Sequence, residues 1–307
     1  MRYLPTLLLF GVMMLYCNYD VNACPFIQSD DNVPEFQMVS IPTDIATPQE
    51  RVAYFAEHYW ENFDFSDTTF FNFPEVLEQA FVNYMEILPL TSTDIAKASL
   101  KASMGRAAVD VVMYKYFLDL YERYLYESDS PFVNGEFFIP VLEAVVEGTV
   151  LDDISKIRPT LMLELVLKNR KGFRATDFSF TIDTGKIQTL HEQEAHFLFL
   201  LFYNPNCSNC KSVIDYVNGS PFFEAYHESG LLRAVAIYPE NNIDEWTEYQ
   251  SEIPTTWLNG YDHNGSLDQE LLYDIKVIPT IYLLDKDKTV LLKDATLEDV
   301  ISYLKQL

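Results

Sequence analysis

The chain has 307 residues, enough for two domains, and 49% of them are apolar and 15% aromatic, so sizeable cores are available and wholesale disorder is not expected. A formal net charge of −25 repels phosphate backbones and sets nucleic acid aside as a partner. Of four cysteines, Cys17 and Cys24 fall in or at the end of an N-terminal apolar segment, which leaves Cys207 and Cys210 as the pair in the body of the chain. One pair is too few for a disulfide framework or a four-cysteine zinc site, and Lys211 stands where haem attachment needs histidine.

Residues 1–23 have the pattern of an export signal. Arg2 supplies the positive start, Leu4 to Leu15 an apolar core, and Val21-Asn22-Ala23 a cleavage site before Cys24. The apolar run is short for a membrane span. Two processings stay open: ordinary cleavage after Ala23, or lipidation of Cys24 as the first residue of a bacterial lipoprotein. Val21 and Ala23 suit a lipobox, and Asn22 is unusual in one. Ser29-Asp30-Asp31 resembles the acidic tract that helps export some bacterial lipoproteins to the cell surface. Either route takes the mature chain out of the cytoplasm, where disulfide chemistry is at home. Lipidation at Cys24 implies a membrane anchor, in the periplasm or at the outer membrane of a Gram-negative-type bacterium. Residues 24–47 carry Pro25, Pro34 and Pro42 with few periodic apolar positions and read as a tether.

Residues 48–171 read as an all-helical domain. Thr47-Pro48-Gln49-Glu50 is a capping box with proline at the first helical position, and Val52, Phe55, Ala56, Tyr59, Trp60 and Phe63 follow at helical spacing. Val76 to Leu88 gives a second stripe. From Thr91 to about Tyr126 the spacing predicts one long helix or two stacked ones, and Ile139–Val146 and Thr160–Leu167 give two more. Aromatic stripes of this kind are read as core rather than as a ligand groove. Gly172 reads as a helix stop and a domain boundary.

Residues 172–307 alternate strand and helix, which implies an α/β sheet covered on both faces. Phe178–Ile182 and Ile187–Leu190 flank a turn at Asp183-Thr184-Gly185-Lys186. Phe197–Tyr203 is an unbroken apolar run, read as a fully buried strand. Leu231–Ile237 is the next strand. Ile243–Tyr249 and Leu267–Tyr273 read as short helices, Ile281–Leu284 and Val290–Leu292 as a hairpin, and Thr296 as the cap of a closing helix.

The chemistry concentrates after the buried strand. Asn204 to Asn206 break the run, Cys207-Ser208-Asn209-Cys210 follows, and Val213, Ile214, Tyr216 and Val217 continue at helical spacing. Cysteines at a helix N-terminus suit thiol–disulfide exchange: the positive end of the helix favours a thiolate at Cys207, and Cys210 can attack and release a mixed disulfide. His191, His196, His227 and His263 show no ligand spacing with the pair, so neither metal nor cofactor is expected.

Three features together resemble the thioredoxin fold: the strand ending in Cys207-x-x-Cys210, the Ile278-Pro279-Thr280 run before an apolar strand, and Ala175-Thr176-Asp177-Phe178 ahead of a hairpin. The last is similar to the opening of the TlpA-like branch, which works in bacterial periplasms. The stretch from Glu57 to Asp67 is similar to a helical domain of unknown function that precedes the thioredoxin module in some exported bacterial lipoproteins. The resemblance implies that Pro279 is a cis proline set against the cysteine pair and that the Ile278 backbone pairs with an extended substrate segment. It implies an extracytoplasmic oxidoreductase acting on protein disulfides, with reduction favoured over oxidation. Its partners would be thiol or disulfide clients and an upstream electron donor.

The chain departs from such relatives at three places. Asn206 replaces the tryptophan before the first cysteine. Leu201 stands where many carry a buried acid, and Val213 where some reductases place a glutamate. Asn204 replaces the threonine that a peroxiredoxin would need. These departures keep a second reading in play, a binding or assembly lipoprotein that uses the fold as a scaffold.

Overall fold

The computed structural model describes residues 33–306. The expected export signal and Cys24 lie outside the described residues. Residues 36–47, within the stretch read as a tether, have no regular structure but lie against the helices that follow. The Phe36 ring sits 5.4 Å from both Tyr59 and Trp60, and Met38 and Ile45 offer backbone oxygens to Asn62 and Arg51.

The helical part comprises α1 (Pro48–His58), α2 (Pro74–Ile87), α3 (Thr93–Ala107), α4 (Val111–Leu125), α5 (Gly135–Glu147) and α6 (Asp153–Leu167). Local chemistry sets the starts. Thr47 and Glu50 form the expected capping box, and the side chains of Ser92, Asn134 and Asp152 cap α3, α5 and α6. The stretch after Thr91 is two helices because Asp110 is extended and its carboxylate accepts from Val112 N–H at 2.8 Å and Met113 N–H at 2.9 Å. The first apolar stripe outlasts its helix: Tyr59, Trp60 and Phe63 are buried from the turns after His58. α5 and α6 begin earlier than the sequence pattern suggested, because each runs through an internal proline, Pro140 and Pro159.

The aromatic stripes are core. Trp60 is 5.0 Å from Phe117, and Phe81 is 4.8 Å from Tyr121, both in edge-on contact. Buried hydroxyls among them are partnered: Tyr84 with Ser99 at 2.6 Å, Ser99 donating to Ala56 O at 2.5 Å, and Ser103 with Tyr121 at 2.5 Å.

The second part is a seven-stranded sheet. In chain order it has β1 (Ser179–Ile182), β2 (Ile187–Thr189), β3 (Phe197–Phe202), α7 (Ser208–Gly219), α8 (Pro221–Glu228), β4 (Leu232–Tyr238) and α9 (Ile243–Tyr249). Then come β5 (Leu258–Tyr261), α10 (Ser266–Gln269), β6 (Thr280–Asp285), β7 (Val290–Leu292) and α11 (Leu297–Lys305). The strand order is β2-β1-β5-β4-β3-β6-β7, with β3 parallel to β4 and antiparallel to β6. Every residue of β3 is buried. Phe199 and Leu201 pack with Ile214, Val217 and Phe223 of α7 and α8 and with Val300 and Leu304 of α11. Leu198, Leu200 and Phe202 pack on the other face with Phe178, Phe180, Leu267 and Tyr273. That period of two is why an unbroken apolar run was needed.

Among the elements of the mixed part, β5 and α8 went unread in the sequence. β5 is only four residues long and holds Gly260, which reads as a break; a Cβ there would lie 2.4 Å from the Phe180 ring, so the glycine lets β5 close on β1. α8 follows α7 after one residue, starting at Pro221. The helix expected over Leu267–Tyr273 is only Ser266–Gln269, because Leu271 takes a φ of 50° and leaves the helical path.

Candidate functional site

The site forms where β3 ends. β3 and β4 run parallel with Phe202 beside Ile237, so the loops that leave their C-terminal ends are neighbours. The first loop is held by Asn204, whose carbonyl accepts from Cys207 N–H at 3.0 Å and whose side-chain oxygen accepts from Asn206 N–H at 2.9 Å. That turn delivers Cys207 to the N-cap position of α7. Its Sγ accepts from Cys210 N–H at 3.1 Å, in the place where a serine or aspartate oxygen commonly caps a helix. Cys207 is half-buried and Cys210 fully buried, and both are free thiols.

The second wall is the end of the segment before β6. The Ile278–Pro279 peptide bond is cis, and the Cys207 thiol donates to Ile278 O at 3.5 Å. The structure thus brings together Cys207, Cys210, Ile278 and Pro279, residues separated by about seventy positions in the chain.

Burial pushes the Cys210 thiol up to about 12, the hydrogen bond to Cys207 adds to the rise, and the Asn204 backbone offsets part of it. Leu201 and Val213, where relatives would carry an acid, are both apolar neighbours in the α7 side of the core. Glu192 and Glu194 precede the N-terminal end of β3, while the cysteines follow its C-terminal end, about 20 Å away along a six-residue strand. They cannot serve Cys210.

Residues that sequence reasoning missed hold the loop that precedes the pair. Glu245 of α9 accepts from the Asn206 side chain and from Tyr238 OH at 2.7 Å, and Glu240 accepts from Asn204 Nδ2 at 3.2 Å. Asn206, in place of a tryptophan, is therefore tied to α9. Tyr203, buried beneath the site, donates to Asn259 Oδ1 at 2.9 Å; its own burial raises its pKa, so it stays a neutral phenol. The available signal was topological: parallel β3 and β4 place the residues after Tyr203 beside those after Tyr238. Among the described residues, no group of three or more His, Cys, Asp or Glu side chains is placed to hold a metal.

Comparison with known proteins follows the same division. The model of a domain of unknown function (DUF5106) matches residues 22–169. No curated protein matches the chain. Among solved structures, a thioredoxin-like protein from Bacteroides caccae is 38% identical, with a TM-score of 0.84 covering 89% of this chain and 99% of that one. The C-terminal domain of an uncharacterized protein from Bacteroides fragilis is 40% identical, with a TM-score of 0.44 covering 45% of this chain and 98% of that one. With its helical N-terminal region and its mixed sheet, the chain belongs to the thioredoxin-like proteins.

Proposed function

We propose that the chain is a thiol–disulfide oxidoreductase that reduces protein disulfides outside the cytoplasm. Membership of the thioredoxin-like proteins supports a general redox role. The observation that carries the finer reading is the position of Cys207 Sγ, 3.1 Å from Cys210 N–H at a helix start and 3.5 Å from Ile278 O. A sulfur anion there has a donor on one side, and an extended client has a backbone edge on the other.

In the reductive direction the Cys207 thiolate attacks one sulfur of a client disulfide. The client S–S bond breaks, a Cys207–client disulfide forms, and the first client thiolate takes a proton from water. Cys210 then gives its proton to solvent and attacks the Cys207 sulfur; the Cys207–client S–S bond breaks, and the second client sulfur leaves as a thiolate that takes up a proton from water. The protein is left with a Cys207–Cys210 disulfide, two electrons having passed to the client. An upstream dithiol donor returns the pair to its reduced state. The N-terminal apolar segment and Cys24 support export and a lipid anchor at the membrane.

Insulin reduction in the presence of a dithiol donor tests this reading. Turnover is expected from the purified protein and not from Cys207→Ser; equal rates for the two would overturn it.

Two features of the pair's surroundings favour a scaffold instead. Cys210 is pushed up to about 12 and both family positions for an acid are apolar. A Cys207→Ser, Cys210→Ser chain that restores the behaviour of the host as well as the natural chain does would favour that reading; complete loss would exclude it.

A further inference from the structure

The segment that ends at Ile278 is gripped by the helical part. Residues 270–276, between α10 and β6, form neither helix nor strand, so their backbone groups need partners from elsewhere. The last residues of the helical part supply donors to three of the segment's carbonyls. Lys168 Nζ donates to Leu271 O at 2.9 Å and to Glu270 O at 3.3 Å, and Asn169 Nδ2 donates to Leu272 O at 2.8 Å. Asn169 is 3% exposed and has a φ of 52°, a left-handed position that asparagine tolerates better than most residues. Its Oδ1 accepts from Thr176 N–H at 2.7 Å, so one side chain clamps the segment to the start of the mixed part.

A second grip lies two residues on. Tyr126, at the end of α4, donates to Asp274 Oδ1 at 3.0 Å, and Asp274 is 8% exposed. Lys276 pairs with Asp274 Oδ2 at 3.2 Å while its ammonium lies 3.7 Å from the centroid of the Tyr126 ring. That ring rests on Phe138 of α5 at 5.5 Å. Four residues beyond Asp274 comes the carbonyl of Ile278, 3.5 Å from Cys207. A chain fixed at Leu272 and Asp274 has little freedom left at Ile278.

We propose that the helical part is the positioning element of the redox site: through Asn169 and Tyr126 it fixes the Ile278–Pro279 edge on which an extended client segment is held. The inference rests on the reductase reading and gives the helical domain a role in it. Ordering that edge before the client arrives removes an entropic cost from binding, so its loss falls on client affinity rather than on the sulfur chemistry.

The test uses the full chain with two variants at separate contacts. Tyr126→Phe removes the hydroxyl donor and keeps the ring under Lys276. Asn169→Asp keeps the short side chain and the acceptor for Thr176 and removes the donor to Leu272. Each is expected to raise KM for insulin about five-fold, the size of one lost hydrogen bond, with kcat changed less than about two-fold. The rate with a small aromatic disulfide, which has no extended backbone to hold, is expected to stay as in the natural chain. Amide hydrogen exchange over residues 272–278 is expected to quicken in both. Unchanged KM and unchanged exchange would overturn the proposal, as would equal losses toward insulin and the small disulfide. If the natural chain itself does not reduce insulin, the reductase reading fails, and exchange over 272–278 decides the positioning claim alone.

Discussion

The two parts of the molecule bury polar groups to different ends. In the helical part, buried hydroxyls close on one another or on carbonyls: Tyr59 donates to Ala80 O at 2.7 Å, and Tyr84 joins Ser99, which donates to Ala56 O. Such pairs satisfy the groups they bury and hold helices in register. In the mixed part the buried group at the centre is a thiol, Cys210, whose charged form burial disfavours and whose near neighbour is the more exposed Cys207. A disulfide carries neither proton nor charge, so the burial that penalises the Cys210 thiolate does not penalise the oxidised pair. A satisfied buried hydroxyl is structural; a buried thiol beside an accessible one is a place for chemistry.

The two parts of the molecule differ most at Cys207. Replacing it by serine is expected to remove all insulin reduction while leaving the unfolding midpoint close to that of the natural chain. The reverse dissociation belongs to the helical core. Phe117 is fully buried and 5.0 Å from Trp60, and Phe117→Ala is expected to cost about 3–5 kcal/mol in urea unfolding. A cost below about 1 kcal/mol would mean that the rings do not form one core.

The pH dependence sharpens the contrast further. With Cys210 pushed up to about 12, its thiolate fraction rises about tenfold per pH unit through the neutral and mildly alkaline range. Burial, the leading cause, persists when Cys207 is engaged with a client, whereas its hydrogen bond to Cys210 is lost. Decay of a Cys207–client disulfide in a single turnover is therefore expected to accelerate steadily between about pH 7 and pH 9. A rate that is flat over this range would show that another group removes the proton.

The smallest effect is an ordinary ion pair. Glu136 of α5 accepts from Arg170 Nη2 at 2.6 Å and from Lys97 at 2.8 Å, and the Arg170 hydrogen bonds lead in holding its carboxyl down at about 2. A carboxylate with a lowered pKa stabilises the fold above its unfolded value of about 4.3, and that contribution is lost as the pH falls toward about 2. The Glu136 side chain is 40% exposed, so Glu136→Gln is expected to cost about 1 kcal/mol or less at pH 7. Stability curves of the two chains should converge as the pH approaches about 2.

What could be read in advance follows from how locally each feature is written. β3 is an apolar run beside its own cysteines, and Ile278-Pro279-Thr280 is continuous, so the fold and the four residues at the site were legible. β5 was not, because its four residues include Gly260, whose reason is the Phe180 ring on another strand. Glu240 and Glu245, the latter held by Tyr238 OH, reach Asn204 and Asn206 only through the parallel pairing of β3 with β4, which no local pattern encodes. The stretch Leu267–Tyr273 reads as a short helix, yet the chain turns at Leu271, whose carbonyl goes to Lys168 more than a hundred residues earlier. Tertiary partners there override local propensity.

The proposed reductase activity requires Cys207 and Cys210 to form a reversible redox pair. The direct measurement is mass spectrometry of the full chain after reduction and again after mild oxidation, with free thiols alkylated under unfolding conditions before digestion. Both cysteines are expected to be alkylated after reduction; after oxidation neither should be, and one peptide should carry a Cys207–Cys210 disulfide. Both thiols still open to alkylation after oxidation would contradict the proposed activity.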